Sequence, residues 1–325
     1  MQYKYLGTTG MAVSALCIGT MTFGRESSRE ESKAMFDLCR DSGINFIDTA
    51  NIYSNGGSEE LVGDFLQDCR DEWILATKAV YPMEPKGPNN RGASRRHLRM
   101  EVEASLKRLK TDRIDLFYLH GFDPNTALEE TMRTLDDLVR EGKILSVGVS
   151  NFAAWQVMKA QGIAKSNGYS PIQVIQPMYS LIKRQVEVEI LPMAQSESIS
   201  VVPYSPLGAG VLTGKYVKKE SDDGGSRLKE SSMYAKRYSE DWYQETARSF
   251  VEVANEMGVR PAALAIAWVA AHPGVTAPIL GARHVGQLSQ SLEALSIEIS
   301  PEMYERIASL SPAPPPATDR LEETK

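Results

Sequence analysis

The chain has 325 residues, 42% hydrophobic and 24% charged, with a formal net charge of -6. Such a chain is long enough for one large α/β domain or two smaller ones, and its acidic balance excludes general electrostatic binding to nucleic acid. Three scattered cysteines, Cys17, Cys39 and Cys69, with no Cys-x-x-Cys pair, exclude a disulfide framework and a thiolate-rich metal site.

The N-terminus has no apolar leader and no apolar run reaches membrane-spanning length, so a reducing, cytoplasmic compartment and no membrane partner are expected. Tyr3–Leu6 and Met11–Val13, around Thr8-Thr9-Gly10, read as a hairpin. Eight strands are then expected: Ala15–Gly19, Asn45–Asp48, Trp73–Thr77, Ile114–His120, Leu145–Ser150, Ile172–Gln176, Ser200–Tyr204 and Thr276–Gly281. Most lack clean alternation, as strands covered on both faces do. Helical spacing falls between them, in Leu98, Val102, Leu106 and Leu109 and again in Leu128, Met132, Leu135 and Leu138. Ser58 is expected to cap one helix and Pro261 to open another, with Trp268 on the buried stripe of the latter. Residues 215–240 are too long and polar for an ordinary connection and suggest a lid or binding loop, with disorder as the rival over Lys218–Ser232. The Pro-rich tail, residues 311–325, is expected to be flexible and to add little to the core. The regular strand–helix alternation predicts a single α/β (β/α)₈ TIM barrel over residues 1–310, with the hairpin capping its bottom and the long loop after the seventh strand.

In such a barrel the C-terminal strand ends share one rim. Asp48, Tyr53, Lys78 and His120 would meet there, joined by Ser150, Asn151, Gln176, Tyr204 and Ser205. A phenol is a poor acid at neutral pH. An ammonium beside Tyr53 would favour its phenolate, Asp48 would hold Lys78 charged, and His120 could donate to a carbonyl oxygen, which suits proton delivery to a developing alkoxide. Each residue also has a structural alternative: Asp48 as a turn cap, Tyr53 as a rim aromatic, His120 as a core histidine. His97, His272 and His284 read as surface or capping residues, and no zinc-ligand spacing is visible. The basic run Arg95–Arg99 reads as a solvated helix face. Gly208-Ala209-Gly210-Val211-Leu212-Thr213-Gly214 misses the dinucleotide fingerprint spacing, yet its glycines permit close backbone approach. After the last strand, Gly281-Ala282-Arg283 and a following helix form a candidate phosphate site. Tyr179, just past the sixth strand, could stack on a planar ring.

Together Gly43–Ala50 with Tyr53, Ser58–Gly63, Ala76-Thr77-Lys78, Asp115–His120, Gly148–Phe152, Ile175–Leu181, Pro203–Gly208 and Gly281-Ala282-Arg283 resemble the aldo-keto reductase family, in the branch with a Gly-Ala-Arg motif after the eighth strand. The resemblance implies NADP(H) bound in an extended pose, with NAD(H) as the alternative, and a small carbonyl substrate. It assigns Asp48, Tyr53, Lys78 and His120 to a catalytic tetrad with Tyr53 as general acid. It assigns Ser150, Asn151 and Gln176 to the nicotinamide amide and Tyr179 to the ring. Ser205, Leu207, Gly210 and Lys215 fall to the pyrophosphate, and Gly281, Arg283 and Gln287 to the adenosine phosphate. Ser291, where the branch commonly has asparagine, and Gly121, where arginine often follows the tetrad histidine, depart from the pattern. The competing functions are a nicotinamide-nucleotide-binding regulatory barrel without significant turnover and an unrelated barrel enzyme.

Overall fold

The computed structural model describes residues 1–84, 87–216, 232–318, 320 and 322. After the antiparallel hairpin β1 (Tyr3–Tyr5) and β2 (Ala12–Ser14) come eight parallel strands: β3 (Cys17–Gly19), β4 (Phe46–Asp48), β5 (Ile74–Ala79), β6 (Ile114–Leu119), β7 (Ile144–Ser150), β8 (Ile172–Gln176), β9 (Ser200–Val201) and β10 (Ile279–Leu280). Neighbours pair in chain order, and β10 returns to pair with β3. Thr276 N–H donates to the Val201 carbonyl at 2.8 Å and Ile279 N–H to the Pro203 carbonyl at 2.9 Å, which closes the ring between β9 and β10.

Apolar residues line both faces of the ring. Phe46, Ala76, Leu116, Tyr118, Val174, Val202 and Ala277 fill the inside, while Ile47, Leu75, Phe117, Val147 and Ile175 face the surrounding helices. All six β6 residues are buried, which is why the segment is apolar on both faces apart from Asp115, whose carboxylate pairs with Arg70 at 2.7 Å. Inside the barrel Gly148 makes room for Tyr118, since a Cβ on Gly148 would lie 2.5 Å from that ring. The hairpin closes the bottom with buried Leu6 and Val13. It is tied to strand starts by Ser14 N–H to Asn45 Oδ1 at 2.7 Å and Gly7 N–H to Ser200 Oγ at 2.8 Å.

The helices are α1 (Arg29–Asp41), α2 (Gly57–Leu66), α3 (Arg95–Leu109), α4 (Leu128–Arg140), α5 (Ala154–Asn167), α6 (Ile190–Ser196), α7 (Ser232–Arg237), α8 (Asp241–Glu256), α9 (Pro261–Ala271), α10 (Val285–Leu292) and α11 (Pro301–Ala308). Pro261 opens its helix as expected, and Trp268 is buried. Ser58 is not a cap. Gly56, at φ 95°, takes that position, and the Ser58 hydroxyl lies inside the first turn, donating to the Thr20 carbonyl at 2.8 Å. The last two ladders are shorter than expected, because Pro203 and Pro278 lack the N–H that a continuing strand needs. Part of the long loop is the helix α7; the disorder expected over Lys218–Ser232 lies, Ser232 apart, outside the described residues. Pro312–Pro316 forms neither helix nor strand. No helix among the described residues is long and apolar enough to cross a membrane.

Candidate functional site

Five strand ends meet at the top of the ring. Asp48 closes β4, and Lys78 lies on β5 with its side chain fully buried. The Lys78 ammonium donates to Asp48 Oδ1, to the Thr49 carbonyl at 2.8 Å and to Tyr53 Oη at 3.3 Å, so its three N–H groups are all used. Asp48 Oδ2 accepts from Gln176 Nε2 at 2.8 Å. The chain of bonds continues from Ser150 Oγ to the Gln176 carbonyl at 2.8 Å, from Asn151 Nδ2 to Ser150 Oγ at 3.1 Å and to the His120 carbonyl at 3.0 Å, and from Tyr204 Oη to Asn151 Oδ1 at 2.8 Å. The His120 ring stands edge-on to Tyr53 with centroids 6.0 Å apart.

Tyr53 stands at the start of a tight turn. Ser54 and Asn55 follow in left-handed conformations at φ 50° and 51°, which side-chain-bearing residues adopt only when held. The hold is visible. Ser54 Oγ donates to the Phe23 carbonyl at 2.7 Å, and Arg108 packs against Gly56 so closely that a Cβ there would lie 2.8 Å from its Cδ. Arg108 in turn donates to Glu59 Oε2 at 2.6 Å, and the fully buried Glu59 accepts from Thr77 Oγ1 at 2.5 Å on its other oxygen. One carboxylate thus links the strand carrying Lys78 to the turn carrying Tyr53.

Electrostatics follow from burial. Burial alone would lower Lys78, but Asp48 and Tyr53 outweigh it and hold the ammonium above its ordinary range. Burial pushes Asp48 up, opposed by Lys78 and Gln176; because both its oxygens accept from N–H donors, we assign the carboxylate form. Burial also raises Tyr53, and the opposing pull of Lys78 is the next largest influence. The expected lowering by Lys78 is therefore present, but the phenol as a whole stays protonated. Burial, then Lys78, pushes His120 well below the usual histidine range, so its imidazole is neutral. Its Nδ1 is buried with no partner among the described residues.

The cluster forms one end of a cleft of about 1210 Å³. That exceeds the ordinary range for small-ligand pockets, about 300–1,000 Å³, and leaves room for a dinucleotide beside a second small molecule. Asp48, Tyr53, His120, Ser150, Asn151, Gln176, Ser205, Leu207, Gly210, Lys215, Gly281, Arg283 and Gln287 all line it. Lys78 lies beneath the floor, acting through Asp48 and Tyr53. Gly208, Ala209 and Gly210 take positive φ in succession, which bends the backbone around the cleft wall. At Gly210 a Cβ would also lie 2.9 Å from the Lys215 side chain. Arg283 N–H donates to Gln287 Oε1 at 2.9 Å, fixing the link from β10 into α10. These groups fit an extended nicotinamide dinucleotide. No group of acids, histidines and cysteines suited to a metal ion occurs among the described residues.

Tyr179 is a correction. Its ring is buried behind the cleft wall, 5.5 Å from Trp268, and its hydroxyl bonds Glu187 at 2.8 Å and Tyr304 at 3.1 Å. It cannot stack on a ligand in the cleft. Tyr204, bridged to Met178 alongside it and expected only as the last residue of the seventh strand, does line the cleft. His97 is a second correction, being buried rather than at the surface, with neither ring nitrogen partnered among the described residues. His284 accepts from Gln287 N–H as the cap of α10, and His272 Nδ1 accepts from Gly274 N–H at 3.0 Å, both as expected. In the basic run, Arg95 pairs with Asp137 and Arg99 with Glu141, so that helix face is an ordinary ion-paired surface. The Glu59–Arg108 support was not anticipated, although Ser58-Glu59-Glu60 was recognised as a helix start. Glu31, which accepts from Val285 N–H at the start of α10, was also missed.

A closed parallel barrel with a large cleft across its strand ends defines an α/β-barrel protein built to hold an extended ligand. The model of the Aldo/keto reductase family matches residues 15–312, and the chain belongs to this family. It is 37% identical to the uncharacterized oxidoreductase YrpG of Bacillus subtilis (strain 168), with 97% of each chain covered. It is 35% identical to a probable voltage-gated potassium channel subunit beta of Oryza sativa subsp. japonica, covering 98% of this chain and 99% of that one. It is 36% identical to the norsolorinic acid reductase stcV of Emericella nidulans, covering 91% of this chain and 78% of that one.

Proposed function

We propose that the protein is an NADP(H)-dependent oxidoreductase that reduces an aldehyde or ketone to the alcohol, with Tyr53 as general acid. The observation that carries this is the contact of Tyr53 Oη with a Lys78 ammonium that is itself held by Asp48. Burial keeps the phenol protonated until it is needed, and the ammonium stabilises the phenolate left once the proton has gone. The neutral His120 imidazole offers an N–H to the same oxygen. A bound reduced nicotinamide supplies the hydride. Ser150, Asn151 and Gln176 orient its amide, and Tyr204 covers its ring. Lys215 with the turn at Leu207–Gly210 meets the pyrophosphate, and Arg283 and Gln287 meet the adenosine end.

Tyr53→Phe tests this reading: NADPH affinity should change by no more than a few-fold while carbonyl reduction falls by at least about 100-fold. Near-normal turnover would remove Tyr53 as the acid. A second reading, a nicotinamide-binding regulatory barrel, is favoured by the likeness to potassium channel β subunits. It expects NADPH to quench tryptophan fluorescence while no carbonyl in a broad panel is turned over.

A further inference from the structure

Arg237 ends α7 and lines the same cleft. Its guanidinium carbon lies 5.5 Å from the centroid of the Tyr234 ring, and it forms no ion pair with any described residue. Its surroundings do not compensate it. Asp48 is the sole carboxylate lining the cleft among the described residues, and both Asp48 oxygens are occupied by Lys78 and Gln176. The cation-rich wall elsewhere is explained: Lys215 sits by Gly210, and Arg260 pairs with Glu293 at 3.0 Å.

Arg237 belongs to the reacting end of the cleft. Burial raises the Tyr204 hydroxyl to about 12, Arg237 is the charge that pulls against it, and Tyr234, Tyr81 and Tyr53 are the other phenols that act on it. Tyr204 is hydrogen-bonded to Asn151, which reaches the His120 carbonyl. A guanidinium held against an aromatic ring, with no ion-pair partner among the described residues, matches a planar carboxylate through two parallel bonds. A lone arginine suits a monoanion better than a phosphate dianion, which calls for further donors.

We propose that Arg237 binds a carboxylate carried by the carbonyl substrate, so that the protein favours oxo acids over uncharged aldehydes. This rests on the reductase reading above. The carbonyl takes up a hydride from the reduced nicotinamide and a proton from Tyr53, giving a hydroxy acid and oxidised cofactor, while the carboxylate is unchanged.

The test compares 4-oxobutanoate with butanal, and glyceraldehyde 3-phosphate with glyceraldehyde, in the native protein and in Arg237→Met and Arg237→Lys. The native kcat/KM should favour 4-oxobutanoate over butanal by at least about tenfold, and Arg237→Met should erase that preference through KM. Butanal turnover and NADPH affinity should stay within a few-fold, and Arg237→Lys should restore part of the preference. Equal native rates for the two aldehydes, a loss of NADPH affinity in Arg237→Met, or a larger Arg237-dependent preference for the phosphate ester would each overturn the proposal. If neither aldehyde is turned over, the reductase reading fails instead. Calorimetric titration of 4-oxobutanoate and butanal into the NADPH-loaded protein then still decides the question: equal affinities overturn the role of Arg237, and tighter carboxylate binding lost in Arg237→Met upholds it.

Discussion

Lys78 shows how little freedom the site has. A fully buried ammonium is tolerable only because each N–H meets an acceptor, and the buried Asp48 is tolerable only because Lys78 and Gln176 answer its two oxygens. Lys78→Met should therefore destabilise the fold by about 3–5 kcal/mol, chiefly by stranding Asp48. Asp48→Asn combined with Lys78→Met should cost clearly less than the sum of the single changes, as read by urea unfolding. Strict additivity would show that the two side chains do not depend on each other. At the adenosine end, Arg283→Ala should weaken NADPH more than NADH; equal losses by fluorescence titration would exclude a contact with the 2′-phosphate. The convergence of Asp48, Lys78 and His120 on one rim was readable from the sequence because each is an ionisable residue at or just past the end of an apolar strand, and Tyr53 follows the first of these strands in the next turn. Which of two tyrosines lines the cleft was not readable. Tyr179 and Tyr204 both follow strand ends, and only the path of the backbone turns one behind the wall and the other into the cleft.

Between elements, the tightest joint is α2 against α3. A Cβ on Gly63 would lie 2.6 Å from the Arg108 carbonyl oxygen, so the two helices meet at backbone distance. Gly63→Ala should cost about 1–3 kcal/mol in chemical denaturation. Because Arg108 also supports the turn after Tyr53, the same change should lower carbonyl reduction more than it lowers NADPH binding. Unchanged stability would mean that the helices can separate freely at this point. Helix positions were legible from apolar spacing, as the buried Leu98, Val102, Leu106 and Leu109 illustrate. Strand lengths were less so. Ser200–Tyr204 reads as one apolar segment, yet its ladder ends at Val201 ahead of Pro203. The Ser58 assignment failed because a hydroxyl that resembles a cap in sequence is instead used across the fold, toward Thr20 and Thr49.

At the scale of the whole molecule, the acid response follows from buried histidines. Burial lowers both His97 and His120 below their ordinary value of 6.5. As pH falls through that value the unfolded chain binds protons that the folded chain refuses, so stability present above it is progressively lost. The unfolding free energy should fall with decreasing pH below 6.5, and His97→Gln should flatten part of the slope; an unchanged slope would locate the protons elsewhere. Barrel closure was legible as eight regularly spaced segments, but the seam was not, since it lies where prolines cut the last two strands short. That seam has a kinetic consequence. The β9–β10 joint is held by the amides of Thr276 and Ile279 rather than by a continuous ladder, so transient parting of the cylinder should begin there. Deuterium should enter these two amides sooner than those of β6. Because Gly281 and Arg283 follow directly, loading with dinucleotide should act as a clasp and slow that entry, coupling the cylinder's breathing to cofactor residence time.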